Sequence, residues 1–180
     1  LGYSFNAQRE ERVNQGGNGN PRSAINREYE KTRVHGTQFD LSKTWARNTL
    51  LLGGDFYHER VTAPSFGFNP VTQAVTVRRG RVPDGARYLS GGVFVQDILD
   101  AVPGRLRLAG NLRWSGASYE SRAANGPLLN GKPLWPDDSA DFSSLTFRLG
   151  AVFTPDPAWS LSANFSLSLI NCFRSPAYSL

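Results

Sequence analysis

The residues best suited to chemistry in this sequence are two histidines and three carboxylates. By residue type, His35 and His58 fit an axial haem or metal ligand. Asp55, Glu59 and Asp97 fit a general base or a nucleophile. The histidines have no neighbouring Cys or carboxylate set, and the acids show neither a paired-carboxylate spacing nor a Ser-His-Asp arrangement. We therefore interpret the histidines as ordinary strand residues and the acids as charges that line a wet lumen. We predict no enzymatic activity, no metal site and no cofactor.

Three further features contain the residue types of a functional motif but lack the structural setting that the motif requires. Cys172 is the only cysteine, which excludes an internal disulfide framework and a cysteine-based zinc site. Gly16-Gly17-Asn18-Gly19 is glycine-rich but lacks a preceding strand and a following helix, so it does not predict a phosphate-binding loop. Asn164-Phe165-Ser166 matches a glycosylation sequon, but it falls inside a predicted strand. We interpret that match as chance.

Three arginines within one long polar segment are the candidate ligand-binding residues. Arg78, Arg79 and Arg81 could form charge-assisted hydrogen bonds to an anionic ligand or to a lipopolysaccharide phosphate. A solvated loop is the plainer interpretation of the same residues. Both interpretations stay open at this stage.

Positive charge also raises the question of nucleic acid. The chain has 180 residues, with 20 Lys and Arg against 15 Asp and Glu, for a formal net charge of +5. An excess of positive charge interleaved with aromatic residues is typical of nucleic-acid binding. Here, however, arginines alternate with leucines along one segment instead of lying beside stacking aromatics. We expect no nucleic-acid partner, and keep a soluble basic β-domain that binds nucleic acid or carbohydrate as the alternative.

The elements that would position these residues are β-strands. Seven segments alternate between apolar and polar residues, which is the period of a strand and not of a helix. The clearest runs from Arg105 to Trp114, where the leucines and the tryptophan share one face. The faces of the fourth segment cannot be assigned, because Val93-Phe94-Val95 is continuously apolar. The seven segments are approximately 1–8, 37–45, 50–57, 88–97, 105–114, 145–153 and 159–166.

Short and long connections alternate strictly between these segments. The short ones are residues 46–48, 98–104 and 154–158, and the long polar ones are roughly 12–30, 61–87 and 120–142. In an up-and-down meander this order places every short turn at one end of the sheet and every long loop at the other. The sequence therefore predicts an all-β, antiparallel up-and-down meander.

Alternation does not say which face meets water, since soluble antiparallel sandwiches show the same pattern. Several features favour a transmembrane barrel. The ten-residue segment 105–114 matches the roughly 9–11 residues needed to cross a bilayer at a tilt. Trp45, Phe153 and Trp159 flank short turns, where an aromatic girdle would lie. Lys43 is on the apolar side, but it lies close enough to a turn to reach the membrane interface.

Seven strands do not close a bacterial barrel, which has an even number of strands and at least eight. The sequence also begins on an alternating segment and shows no signal peptide. We therefore expect residues 1–180 to be a fragment of a larger barrel domain, about seven strands of it. Alternation weakens after residue 166, so we expect the tail 167–180 to be atypical.

A hairpin pattern gives these strands a family resemblance. A segment ending in Val95-Gln96-Asp97 is followed by a turn and by a leucine-alternating segment that closes on Arg113-Trp114. Leu50–Arg60 precedes this unit, and Ala163-Asn164-Phe165-Ser166 is followed, after about four extra residues, by Phe173-Arg174-Ser175-Pro176. In this order and spacing, the motifs resemble the barrel of the TonB-dependent outer-membrane receptor family.

The resemblance covers residues 36–166 or so and implies energised uptake across the outer membrane of a Gram-negative-type bacterium. Extracellular loops would capture a large, scarce ligand such as a ferric siderophore, haem, cobalamin or an oligosaccharide. The TonB energy-coupling complex would then rearrange a plug inside a barrel of roughly 22 strands. Neither the plug nor the segment that recruits TonB is among these residues. The implied partners are the TonB complex, outer-membrane lipid and lipopolysaccharide, and a small extracellular ligand of unknown identity.

Overall fold

The computed structural model describes residues 1–122 and 127–175. Residues 123–126 of the predicted third loop, and Pro176 with the rest of the predicted tail, lie outside the described residues. Searched over the described ranges, the chain has no helix that is long and apolar enough to cross a membrane. The strands are β1 (Gly2–Gln15), β2 (Ile25–Trp45), β3 (Asn48–Thr62), β4 (Ser65–Phe68), β5 (Val75–Arg78), β6 (Arg87–Val102), β7 (Leu106–Ser121), β8 (Leu128–Leu129), β9 (Lys132–Pro133), β10 (Asp138–Asp156) and β11 (Trp159–Ser175).

Seven long strands form one antiparallel sheet that follows chain order, β1-β2-β3-β6-β7-β10-β11. The sheet curls like half of a barrel. The short strand β4 pairs with β2 next to the end of β3, and β5 pairs with β4, while β8 and β9 form a separate hairpin. The predicted all-β, up-and-down meander is confirmed.

The strands extend well past the alternating segments at the end opposite the short turns, which we call the loop end. β2 has 21 residues and β10 has 19, whereas the sequence predicted about nine in each. The predicted loop 12–30 is therefore wrong at both edges, because β1 continues to Gln15 and β2 begins at Ile25. The backbone pairs in an unbroken ladder there, and backbone pairing does not require apolar alternation. The predicted turns 98–104 and 154–158 are also shorter than expected, because β6 continues to Val102 and β10 to Asp156.

The start of the predicted atypical tail is regular strand. β11 pairs with β10 from Leu161 to Ser175 without a bulge, and the register shift falls near the turn, between Phe153 and Asp156. Leu167 and Leu169 pair with Phe147 and Leu145, so they continue the apolar row of the preceding residues. The extra residues that the sequence indicated at 167–172 thus lengthen the strand.

The curl gives the sheet two unequal faces. On β6, Val93 and Val95 are exposed, while Phe94 and Gln96 between them are partly covered. Side chains on the inside of a curl crowd one another and those outside splay apart, so Val93 and Val95 lie on the convex face. Cross-strand partners share a face. The convex face therefore carries Leu41, Leu52, Val95, Leu112, Phe147 and Leu167, and the concave face carries Asp55, Gly92, Arg113, Thr146 and Ser168.

No layered hydrophobic core backs this sheet among residues 1–122 and 127–175. The buried hydrophobic side chains there are Val61, Ala63, Ala86 and Trp135, all at the loop end. Leu108 and Leu112, which a soluble sandwich would bury, are 38% and 42% exposed. A convex band of exposed Leu, Val and Phe needs an apolar solvent to cover it. This is evidence against the soluble alternative.

Candidate functional site

The concave wall is braced by an ion pair that crosses three strands. The Arg113 guanidinium on β7 donates from Nη2 to Asp55 Oδ1 on β3 at 2.6 Å, and from Nε to Ser115 Oγ at 2.9 Å. β6 lies between the two partners, and the crossing passes over Gly92. A Cβ on Gly92 would lie 2.8 Å from Arg113 Nη2 and 2.6 Å from the Trp114 carbonyl oxygen. Only glycine leaves room for the arginine at this point.

Two aromatic rings lie over other concave glycines. Phe94 covers Gly53, and Tyr57 covers Gly36, with ring atoms within 3 Å of where a Cβ would stand. Beside the ion pair, the wall has an open depression of about 420 Å³, lined by Asp55, Tyr57, Arg113, Ser115, Phe142 and Ser144 among others. This surface offers hydroxyls, a guanidinium and ring faces to whatever fills the concave side. It suits a polar polypeptide or a polar ligand.

The loop end is organised around a small core. Val61, Ala63 and Ala86 are buried together, and Tyr88 and Tyr119 pack against them with ring centroids 5.0 Å apart. The Ala63 amide donates to Asp84 Oδ1 at 2.8 Å, which ties the loop that follows β5 back to the end of β3. Tyr88 lies above the apolar band, and its burial, with Tyr119, Glu59 and Glu30 nearby, raises the pKa of its phenol.

The three candidate arginines point to different partners. Arg78 donates to Asn26 Oδ1 on β2. The Arg79 guanidinium lies 4.4 Å from the centroid of the Trp135 ring, in a cation–π contact that joins two loops. Arg81 is exposed. All three side chains are exposed, and Arg78 and Arg79 also contribute to the loop structure.

The two histidines are brought together, directly opposite each other on β2 and β3. Tyr3 Oη lies 2.8 Å from His35 Nδ1, and the Phe5 ring lies 5.0 Å from the imidazole centroid. Over the described residues, no group of three or more His, Cys, Asp or Glu could hold a metal ion. The contacts of His35 are those of a strand residue on the convex face.

The three carboxylates do not share one environment. Asp55 is paired with Arg113 on the concave face, as a lumen charge would be. Glu59 lies opposite Tyr88 at the loop end, also on the concave face. Asp97 was predicted to face the lumen, and this is wrong: it pairs with Leu50 and Gly110 on the convex face. It receives a hydrogen bond from Asn48 Nδ2 at 3.5 Å, and the missing side chain of Gly110 leaves room beside it.

The remaining motifs have structural surroundings only. Cys172 is an exposed strand residue opposite Phe142. Asn164 of the sequon lies within β11, opposite Gly150. Residues 16–19 form a turn between β1 and β2, where Gly17, Asn18 and Gly19 take positive φ values. Sequence reasoning missed Gly92, although glycine inside a strand signals a close approach.

An antiparallel meander with an apolar convex band and a polar concave wall is the architecture of a transmembrane β-barrel. The chain matches a family model described as TonB dependent receptor-like, beta-barrel, over residues 1–179. It therefore belongs to the TonB-dependent receptor β-barrel family, which is a family of outer-membrane receptors and transporters and not of enzymes. Neither the curated proteins nor the solved structures contain a match to it.

Proposed function

We propose that this chain forms part of the wall of an outer-membrane receptor that imports a large, scarce ligand with energy delivered through TonB. The family match over residues 1–179 carries the proposal. A ferric siderophore, haem, cobalamin or an oligosaccharide has the size and scarcity for which energised uptake is needed. We propose further that residues 1–180 are one section of the barrel domain, whose remaining strands and plug belong to the same receptor.

The concave wall supports this role through its chemistry. Hydroxyls of Ser115 and Ser144, the Arg113–Asp55 pair and the Tyr57 ring line one open depression. Such a surface can exchange hydrogen bonds with a plug that moves, because its groups are accessible to water and none is locked in a dry core. At the loop end, Arg81 is the candidate residue for an anionic ligand.

Uptake by whole cells tests the proposal. Cells that express the intact receptor are offered ferric siderophores, haem, cobalamin and oligosaccharides separately, with or without TonB and with or without a protonophore. We expect accumulation of one ligand class that stops when TonB is removed or the proton gradient collapses. Uptake that continues without TonB would contradict the proposal, as would the absence of uptake for every class tested.

Single substitutions at the loop end sharpen this test. We expect Arg81→Gln to weaken binding of an anionic ligand several-fold, since one charge-assisted hydrogen bond is lost. Arg105→Gln, at the turn end, is the matched control and leaves binding unchanged. Equal affinity for both variants would remove Arg81 from the ligand-binding surface.

A further inference from the structure

Three arginines stand in one row across the convex face at the loop end. Arg33 on β2 pairs with Arg60 on β3, and Arg60 pairs with Arg87 on β6. All three side chains are exposed. Neighbouring strands lie about 4.8 Å apart, so the Cα atoms of the three arginines span about 10 Å. We call these residues the arginine row.

The charges around the row are sorted by face. Further cations on the convex face at this end of the sheet are Arg9, Arg27 and Lys31. The acids there are Glu11 and Glu120. Glu120 lies directly opposite Arg87, and its carboxylate is paired with Arg122. The other glutamates of β1, β2 and β3 lie on the concave face, namely Glu10, Glu28, Glu30 and Glu59. The convex face at the loop end therefore carries an excess of positive charge.

No ion pair within the described part of the chain includes a residue of the row. The ion pairs there join Arg12 to Glu10, Arg107 to Asp100, Arg113 to Asp55 and Arg122 to Glu120. Like charges directly opposite each other on neighbouring strands destabilise a sheet. Two such pairs in succession imply an anion from outside the protein.

The row lies at the height of the outer-leaflet headgroups. β3 leaves its short turn at Asn48, and Arg60 is twelve residues further along, which is about 40 Å of strand. At the tilt of about 45° usual for barrel strands, that length rises about 28 Å, close to the thickness of the hydrocarbon layer. The short turns mark the opposite surface, with Trp45 beside one of them.

An apolar groove lies on the convex face directly below the row. Its volume is about 550 Å³, and it forms where Gly91 and Gly116 present no side chains. The walls include Phe39, Phe56, Leu89, Val93 and Trp114, and Asp141 on β10 also lines the groove. A groove of this kind next to three cations has the two parts that an anionic lipid needs, a site for an acyl chain and a site for phosphate.

We propose that the arginine row and this groove bind a phosphorylated lipid of the outer leaflet, with phosphate on Arg33, Arg60 and Arg87 and an acyl chain along Phe56. The inference rests on the outer-membrane location of the proposed function, not on which ligand is imported. Guanidinium groups bind phosphate oxygens in a bidentate manner, and the lipid supplies the missing counter-charge.

The experiment measures lipid bound to the intact receptor after extraction in a neutral detergent. The test variant replaces all three residues by glutamine (R33Q, R60Q and R87Q), and a second variant replaces them by lysine. The matched control replaces the three loop arginines (R78Q, R79Q and R81Q). Heat-modifiable migration on a gel confirms that each variant is folded. Bound phosphoglycolipid is quantified by mass spectrometry, and thermal stabilisation is measured with phosphoglycolipid, with neutral lipid and with inorganic phosphate.

We expect the glutamine variant to lose bound phosphoglycolipid, with affinity reduced on the order of 100-fold for three cations. The lysine variant keeps most of it, and the loop control keeps all of it. In lipid-free detergent, the glutamine variant is as stable as the wild type or more so, because repulsion is removed.

Three results would overturn the lipid site: retention of phosphoglycolipid by the glutamine variant, equal loss in the loop control, or equal stabilisation of the wild type by inorganic phosphate or neutral lipid. Failure of the lipid site leaves TonB-dependent uptake intact. A receptor that binds the lipid but imports nothing would instead contradict the proposed function.

Discussion

Neighbouring residues on the two faces of this sheet have different surroundings, although they share the same strands. On the convex face, Val93 and Val95 are 48% and 39% exposed. On the concave face, Arg113 of the neighbouring strand β7 reaches across β6 to Asp55, and the crossing passes over Gly92. The convex side depends on its solvent for stability, whereas the concave side holds specific contacts.

The largest difference between the faces should appear when a charge is added to each. Val95→Arg puts a guanidinium on the convex face near the middle of the apolar band, and we expect it to lower the free energy of unfolding in vesicles by about 2–4 kcal/mol. Gln96→Arg places the same group on the concave face at the same depth and should cost little. Chemical denaturation of the intact receptor measures both. Equal costs would contradict the assignment of faces.

Adding a methyl group tests the close approach at the centre of the wall. We expect Gly92→Ala to destabilise the receptor by about 1–3 kcal/mol, because its Cβ would meet the Trp114 carbonyl oxygen, which cannot move without β7. Gly110→Ala is the control, since the nearest atom to its Cβ is Leu149 Cδ2 at 3.8 Å. A Gly92→Ala variant with unchanged stability would show that the Arg113–Asp55 pair does not require glycine at position 92.

The two ion pairs of the concave face compare the middle of the wall with its turn end. The Arg113 and Asp55 side chains are 34% and 26% exposed, and those of Arg107 and Asp100 are 62% and 45% exposed. A double-mutant cycle with Arg113→Gln and Asp55→Asn should give a coupling of about 1 kcal/mol. The corresponding cycle for Arg107 and Asp100 should give no measurable coupling, because water screens it. Equal coupling energies would mean that the position of an ion pair in the wall does not change its strength.

The smallest effect is expected among the loop arginines. Arg79→Gln removes the cation–π contact with Trp135, and we expect a loss of about 0.5–1 kcal/mol of stability. Arg81→Gln, two residues further along on an exposed side chain, should leave stability unchanged. Thermal unfolding of both variants distinguishes a structural arginine from a solvent-facing one. A larger loss in Arg81→Gln would reverse these roles.

The alternation of apolar and polar residues predicted the strands, but it did not predict which residues of neighbouring strands lie opposite each other. Alternation was enough to find seven segments, because successive residues of a single strand point to opposite faces of the sheet. It failed at Val93-Phe94-Val95, where both faces are apolar, and so Asp97 was placed on the wrong side. It also failed at the loop end of β2, where charged residues occupy both faces and the strand is held by backbone pairing with β1, β3 and β4.

The candidate sites depend on register, which is set by residues far apart in the chain. Arg33, Arg60 and Arg87 are separated by 27 residues at each step, and nothing local predicts that they fall in one row. The crossing of Arg113 over Gly92 likewise joins three strands. Glycines inside strands were the available signal. They mark a close approach without saying which side chain fills it.

The most direct test of the account labels β7 one position at a time. Single cysteines from Arg107 to Trp114, in a receptor carrying Cys172→Ser, receive a fluorescent probe, and quenching by brominated lipid is compared with quenching by aqueous iodide. We expect lipid quenching at Leu108, Leu112 and Trp114 and iodide quenching at Arg107, Asn111 and Arg113, in strict alternation. Quenching by iodide alone along the whole strand, or alternation in the opposite phase, would contradict a wall with lipid outside and water inside.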